Sequence, residues 1–253
     1  MIFKNKSPEW LTRRPIAHRG LHNGEGIPEN SLAAFQKAIE NDYPIELDVQ
    51  LLRDGTPVVF HDKNLSRLCG KDGLIRAQDS LSVKDYSLCD TSEKIPLLGE
   101  VLELVGGKVP ILVELKNFSW PGEAEKRTAA MLNGYRGEFA VQSFNPFSVR
   151  WFRINEPSFC IGQLATAIDY HDVDKLRLFA LRYLIVTLLS IPDFIGYDIN
   201  CIPNLPTRIV KSLGVPLLAW TVRSREQYER GKRFCDNIIF EGLYPAPVIY
   251  DKN

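Results

Sequence analysis

The sequence lacks an excess of charge of either sign. Its 31 Lys and Arg residues balance its 31 Asp and Glu residues across 253 positions. Proteins that bind nucleic acid without sequence preference need a broad cationic surface, so we expect no nucleic-acid partner. The chain also lacks internal repeats and low-complexity segments. With 45% hydrophobic and 25% charged residues, its composition is typical of a globular protein.

Paired cysteines and a leader-like apolar segment are missing as well. No two of the five cysteines are spaced as Cys-x-x-Cys, so we expect neither a disulfide framework nor a thiolate zinc site. The first fifteen residues, MIFKNKSPEWLTRRP, contain no apolar run of signal-peptide length. These observations predict a reduced, cytoplasmic protein.

The longest apolar stretch covers residues 176–191, LRLFALRYLIVTLLSI. It is shorter than the roughly 20 residues of a membrane-spanning helix, and Arg177 and Arg182 interrupt it. We expect a buried helix that runs into a strand. The alternative is a surface that docks on a membrane or on another subunit. A homodimer is compatible with the sequence, although no particular residue argues for one.

Short apolar runs alternate with amphipathic stretches along the whole chain. The runs predict strands over 15–18, 45–51, 57–61, 109–115, 138–143, 158–164, 194–199, 215–222 and 237–240. The amphipathic stretches predict helices over 30–42, 96–106, 123–132, 146–155, 206–213 and 225–233.

This alternation predicts parallel strands with helical crossovers. No Gly-x-Gly-x-x-Gly loop follows the first strand, which argues against a doubly wound dinucleotide-binding sheet. A (β/α)8 TIM barrel typically takes about 250 residues. We therefore expect one barrel domain over residues 1–253. Residues 62–95 fit neither a strand nor a crossover helix and form a small insertion after the second strand.

Carboxylates stand inside the apolar strands. Glu46 and Asp48 are two residues apart, so they share one face of a strand, and Glu114 on the next long strand can join them. Three carboxylates that converge in a low-dielectric interior repel one another unless a cation lies between them. A hard divalent ion would suit oxygen ligands. The alternative is that Arg19 and Lys116 neutralise the carboxylates and no metal binds.

Two of the four histidines, His18 and His61, stand at predicted strand ends, where barrel enzymes place catalytic groups. Two imidazoles facing one reaction centre can act as general acid and base near neutral pH. The alternative is a pair of unrelated, hydrogen-bonded histidines. Arg19 and Lys116 are cations of the kind that bind phosphate. The set suits phosphoryl chemistry better than acyl transfer, for which no Gly-x-Ser-x-Gly motif is present.

A set of short motifs follows in order along nearly the whole chain: His18-Arg19-Gly20, Pro28-Glu29-Asn30-Ser31, Glu46-Leu47-Asp48-Val49, Asp54-Gly55, His61-Asp62, Glu114-Leu115-Lys116, Ser143-Phe144 and Ala219-Trp220-Thr221. This ordered set resembles the glycerophosphodiester phosphodiesterase family. The resemblance implies a (β/α)8 barrel with a small insertion. It also implies hydrolysis of small-molecule glycerophosphodiesters, such as glycerophosphocholine or glycerophosphoethanolamine, to glycerol 3-phosphate and an alcohol.

The same resemblance implies roles for individual residues. One divalent metal ion, Mg²⁺ or Ca²⁺, would be held by Glu46, Asp48 and Glu114. His18 and His61 would form the acid–base pair, in an order that the sequence leaves open. The substrate and its phosphate would contact Arg19, Lys116 and Trp220. Two alternatives remain: a lysophospholipase D-like enzyme acting on membrane lysophospholipids, and a phosphoester-binding barrel without turnover.

Overall fold

The computed structural model describes residues 7–24, 26–117, 119–168 and 175–246. Within these ranges it contains nine strands. Their bounds are β1 Ile16–Ala17, β2 Ile45–Leu51, β3 Pro57–Val59, β4 Ile111–Leu115, β5 Phe139–Ser143, β6 Ile161–Ala165, β7 Phe194–Asp198, β8 Leu217–Val222 and β9 Asn237–Phe240. Each overlaps a strand predicted from the sequence.

The strands form one sheet in the order β1-β9-β8-β7-β6-β5-β4-β2-β3, and β1 also pairs with β2 in parallel. Eight of the strands make a closed parallel (β/α)8 barrel, which confirms the predicted fold class. The ninth, β3, is antiparallel to β2. The run predicted as a strand over 57–61 is therefore the return of a hairpin rather than a barrel strand, because the connection 52–56 is too short for a parallel crossover.

Ten α-helices occur in the described ranges. They are α1 Glu9–Arg13, α2 Leu32–Glu40, α3 Ser66–Cys69, α4 Leu98–Val105, α5 Glu123–Asn133, α6 Pro146–Asn155, α7 Lys175–Arg182, α8 Thr187–Ser190, α9 Leu205–Ser212 and α10 Arg225–Phe234. The ends follow local chemistry. The Ser31 hydroxyl accepts a hydrogen bond from the Ala34 N–H at the start of α2. Gly106, in the left-handed conformation, ends α4.

The chain divides into two compact units, and one of them is Ala17–Phe139. It contains β2, β3 and β4 together with the predicted insertion, which has the one-turn helix α3 and two short 3₁₀ helices. The insertion buries its own apolar side chains, including Leu65, Leu68, Ile75 and Val83, against Phe60. The insertion is therefore a packed element of this unit.

The other unit consists of Met1–Ile16 and Ala140–Asn253. Its described part holds β5 to β9 and helices α1 and α6 to α10. The buried Asn237 side chain donates hydrogen bonds to the carbonyl oxygens of Leu11 and Arg14, at 2.8 and 2.6 Å. These bonds satisfy backbone carbonyls at the end of α1, a helix that the sequence patterns did not predict. The expectation of a single domain over 1–253 stays a prediction.

The apolar stretch 176–191 differs from its prediction. It forms the two short helices α7 and α8 with a turn between them, and among its described side chains Leu181, Leu184, Thr187 and Ser190 are the buried ones. The two helices bury one side against the rest of the chain, so the large apolar side chains on their other sides are exposed to water. The predicted buried helix is thus wrong. In the parts of the chain that are described, no helix has the length and hydropathy needed to cross a membrane.

Gly20, in the loop after β1, is needed for both its backbone angle and its lack of a side chain. Its φ is +80°, and an added Cβ would lie 2.9 Å from the Cβ and carbonyl carbon of Ala34. We expect Gly20→Ala to lower the free energy of unfolding by about 2–4 kcal/mol, since strain and overlap add. Urea denaturation measures this loss.

Gly24→Ala is the matched control. Its φ is +74°, but nothing lies within 4 Å of the added Cβ, so only the backbone strain applies. We expect a loss of about 1 kcal/mol. Equal losses in the two variants would mean that the approach of Ala34 has no energetic role.

Candidate active site

Strand β2 carries three buried polar side chains on one face. Glu46, Asp48 and Gln50 are spaced by two, and all three are almost inaccessible to water. The parallel register between β2 and β4 puts Asp48 directly opposite Glu114. One carboxylate oxygen from each of the three acidic residues lies within 4.8 Å of the others. The convergence predicted from the sequence is therefore confirmed.

Two cations lie among these carboxylates. Lys116 Nζ is 3.1 Å from Asp48 Oδ1 and 2.6 Å from Glu114 Oε1. Arg19 Nε is 3.2 Å from Asp48 Oδ2, and the Arg19 backbone N–H donates to Glu46 Oε2 at 3.0 Å. Pairing with Arg19 and Lys116, the alternative to a metal site, is thus present in the structure. In this arrangement the carboxylates of Glu46, Asp48 and Glu114 face the two cations Arg19 and Lys116.

The pKa values reflect this imbalance. Burial, followed by the charges of Asp48 and Glu114, raises the pKa of Glu46 well above its usual range. Burial would also raise the pKa of Asp48, but Lys116 and Arg19 outweigh it and hold that pKa far below its usual value. The cluster therefore has room for one more positive charge, which a proton on Glu46 or a bound cation can supply. Its all-oxygen donor set fits a hard divalent ion.

The loop that carries Arg19 is strained. Arg19 and Asn30 both have positive φ, at 54° and 56°, which is uncommon for residues other than glycine. Asn30 donates from its backbone N–H to the Arg19 carbonyl at 3.0 Å and from Nδ2 to Asp48 Oδ2 at 2.9 Å. Sequence reasoning assigned Asn30 no role, although the Pro-Glu-Asn-Ser motif pointed to it. Such strain is typical of functional sites that the surrounding contacts hold in place.

The hairpin return brings His61 to the cluster. In the β2–β3 pairing the Phe60 N–H donates to the Asp48 carbonyl at 3.0 Å, so His61 comes directly after a residue bonded to Asp48. The Gln50 amide then donates to the carbonyls of Phe60, His61 and Asp62 at 2.7, 3.1 and 2.9 Å. Gln50 was missed from the sequence, although its spacing of two from Asp48 was a usable signal.

Arg67, in helix α3 of the insertion, links two parts of the site. It donates to Asp62 at 2.6 and 2.9 Å and to Glu29 at 2.7 and 2.9 Å. Asp62 Oδ1 is 2.7 Å from His61 Nδ1, and Glu29 is 2.6 Å from Arg19 Nη1. Burial would raise the pKa of Asp62, yet the contacts with His61 and Arg67 lower it. No sequence pattern identified Arg67.

The remaining predicted residues are His18 and Trp220. His18 directly follows β1 and is buried. Lys116 and Arg19 lower the pKa of Asp48 most, and His61 and His18 lower it further. Trp220 is on β8, in the unit formed by Met1–Ile16 and Ala140–Asn253, and its ring packs edge-on against Phe144 at 5.5 Å.

Carboxylates, imidazoles and cations therefore meet at the ends of parallel barrel strands, the position at which this fold carries catalytic groups. This combination of fold and polar site is typical of (β/α)8-barrel enzymes. The profile of the glycerophosphoryl diester phosphodiesterase family matches residues 18–243. The chain belongs to this family.

Individual relatives agree. The chain is 31% identical over 232 residues to the glycerophosphodiester phosphodiesterase of Caldanaerobacter subterraneus subsp. tengcongensis, covering 85% of this chain and 88% of the relative. Its fold is similar to that of the glycerophosphodiester phosphodiesterase from Thermotoga maritima (27% identity, TM-score 0.66, 89% of this chain and 92% of that one). An Oleispira antarctica phosphodiesterase solved with the product sn-glycerol-3-phosphate shares the fold at 24% identity (TM-score 0.73, covering 90% and 92%).

The raised pKa of Glu46 predicts a stability effect that depends on pH. A carboxyl whose folded pKa exceeds its unfolded pKa stabilises fully below the unfolded value, and this contribution is lost as pH rises toward the folded pKa. In metal-free protein, Glu46→Gln should therefore raise the melting temperature at neutral pH and have less effect in acid. Thermal unfolding in a chelator at a series of pH values measures this.

Asp48→Asn is the comparison, because its pKa shift has the opposite sign. The stabilisation from Asp48 is present above its unfolded pKa and disappears as pH falls. Asp48→Asn should accordingly lower the melting temperature at neutral pH. If Glu46→Gln also destabilised at neutral pH, the proposed excess of negative charge would be wrong.

Proposed function

We propose that this enzyme hydrolyses soluble glycerophosphodiesters, such as glycerophosphocholine or glycerophosphoethanolamine, to glycerol 3-phosphate and an alcohol. One observation carries the proposal: three buried carboxylates, Glu46, Asp48 and Glu114, share a site with the cations Arg19 and Lys116 and lie beside the His61 segment. The family supports the reaction type. The glycerol 3-phosphate bound to the Oleispira relative supports the product.

Glu46, Asp48 and Glu114 would hold one divalent cation, Mg²⁺ or Ca²⁺. The nucleophile would be the 2-hydroxyl of the substrate's glycerol, and a bound cation would supply a lower pKa for that hydroxyl and compensation of the negative charge on the phosphoryl oxygens. The protein contributes the arrangement of the ligands. Asn30 fixes one Asp48 oxygen, Lys116 contacts the other, and the Arg19 N–H orients Glu46.

His61 would exchange a proton through Nε2. Because the pKa of Asp62 is lowered, its carboxylate can only accept, so His61 Nδ1 carries the proton of their 2.7 Å hydrogen bond. This contact sets the tautomer and leaves the other ring nitrogen for catalysis. His18 would be the second imidazole. One ring would take the proton of the glycerol 2-hydroxyl as its oxygen attacks phosphorus, and the other would give a proton to the alkoxide that leaves when the P–O bond to the head group breaks, which yields a cyclic phosphate. With the two roles reversed, water would then open the cyclic phosphate to glycerol 3-phosphate.

Arg19 and Lys116 would bind the phosphate. The contacts of Arg19 with Glu29 and Asp48 use Nη1 and Nε, and a guanidinium has five N–H donors in all. Lys116 uses two of its three protons on Asp48 and Glu114. Both therefore retain donors for phosphoryl oxygens. Trp220 would pack its half-buried ring against the apolar part of the substrate.

The decisive experiment uses metal-stripped protein and glycerophosphocholine. Addition of Mg²⁺ or Ca²⁺ should produce glycerol 3-phosphate, and the chelated protein should produce none. Glu46→Gln should abolish the response to metal, while His18→Ala and His61→Ala should each lower kcat by about 10²–10⁴-fold. Absence of product with any divalent metal would leave the phosphoester-binding barrel as the function.

The Arg67 contacts predict a positioning effect. Arg67→Ala should lower kcat by about tenfold or more with little change in KM, because Asp62 loses the donors that fix its orientation toward His61. Free guanidinium should restore part of the lost activity. Arg53→Ala is the matched control, since Arg53 pairs with Asp79 on the surface. Equal kcat in Arg67→Ala and wild type would remove Arg67 from the account.

A second candidate is hydrolysis of membrane lysophospholipids by the same chemistry. It is favoured by the exposure of the apolar side chains in 176–191, which the sequence led us to expect buried. Parallel assays with glycerophosphocholine and lysophosphatidylcholine separate the two. A higher kcat/KM for lysophosphatidylcholine would make it the preferred substrate. The cytoplasmic location stays a prediction.

A further inference from the structure

Helices α7 and α8 and the turn between them expose an unusual number of large apolar side chains. They form what we call the apolar platform: Leu176, Phe179, Tyr183, Ile185, Leu188 and Leu189. Leu176 and Leu188 are 78% and 76% exposed. Single exposed apolar residues are ordinary, but six in fourteen positions of one connection need an explanation.

The platform has a defined structure. Leu181 and Leu184 anchor it in the interior, and α8 packs against α6. The rings of Phe179 and Tyr183 are in contact, with centroids 4.7 Å apart. The buried Tyr197 of β7 donates its hydroxyl to the Arg182 carbonyl at 2.8 Å. The exposed side chains are therefore held outward by an ordered backbone.

Charge indicates what covers the platform. Residues 175–191 contain three cations and no acidic residue. Lys175 and Arg182 are exposed beside the apolar side chains, and the Arg182 guanidinium lies 5.7 Å from the centre of the Tyr183 ring. Aspartates 169, 172 and 174 precede the segment and lie outside the described residues.

We propose that the apolar platform docks on an anionic lipid surface. Leucine and aromatic side chains bordered by Lys and Arg are the composition of segments that lie in a membrane interface. The long side chains of Lys175 and Arg182 can reach lipid phosphates while the apolar side chains of the platform enter the boundary between head groups and acyl chains. A second copy of the chain fits less well, because a two-fold contact would bring the same cations face to face.

Vesicle flotation tests the docking. Vesicles of phosphatidylcholine alone are compared with vesicles that also contain an equal amount of phosphatidylglycerol. The wild-type protein should float with the anionic vesicles and less with the neutral ones, and added salt should weaken binding. The variant Leu176→Ser/Phe179→Ser/Leu188→Ser should bind at least about tenfold more weakly. Lys175→Gln/Arg182→Gln should lose the preference for anionic lipid.

Leu81→Ser is the matched control. Leu81 is 80% exposed but belongs to the insertion, so this change should leave flotation unaltered. Circular dichroism and activity toward glycerophosphocholine show that each variant is folded. Wild-type protein that fails to float with anionic vesicles overturns the proposal, as does equal flotation of the triple variant. A wild-type dimer that the triple variant abolishes, in the absence of lipid, would also overturn it in favour of a subunit contact.

Discussion

Repulsion among three buried carboxylates is the constraint on which this site depends. Glu46, Asp48 and Glu114 meet in an interior where like charges cannot be screened by water. Arg19 and Lys116 offset two of the negative charges. The excess negative charge raises the pKa of Glu46. An additional positive charge would therefore stabilise the site. A divalent cation would supply that charge, and carboxylate oxygens are the ligands it prefers.

The surrounding structure keeps the carboxylates in place despite their repulsion. Strand geometry and the β2–β4 register fix the backbone, so the Cα atoms of the three residues cannot move apart without breaking the sheet. Asn30 and the strained Arg19 backbone add hydrogen bonds from the first loop. From the other side, Arg67 ties the insertion to Glu29 and Asp62. The insertion is therefore part of the site's support rather than a separate decoration on the barrel.

Much of this was predictable because strand periodicity is local. The spacing of Glu46 and Asp48 was enough to place both on one face, and the apolar runs were enough for a barrel. Contacts between residues that only the tertiary fold brings together could not be predicted from the sequence. His61 reaches the cluster through an antiparallel hairpin, and Arg67 reaches it across the insertion. The stretch 176–191 was misjudged because hydropathy does not show which faces the core has room to cover.

We propose that the three carboxylates bind one divalent ion. Crystals soaked in Mn²⁺, a substitute for Mg²⁺ at oxygen sites, would test it by anomalous scattering. We expect one peak about 2.0–2.3 Å from oxygens of Glu46, Asp48 and Glu114, and loss of that peak in Glu46→Gln. An empty cluster, with Lys116 still bridging Asp48 and Glu114 and manganese bound elsewhere, would contradict it.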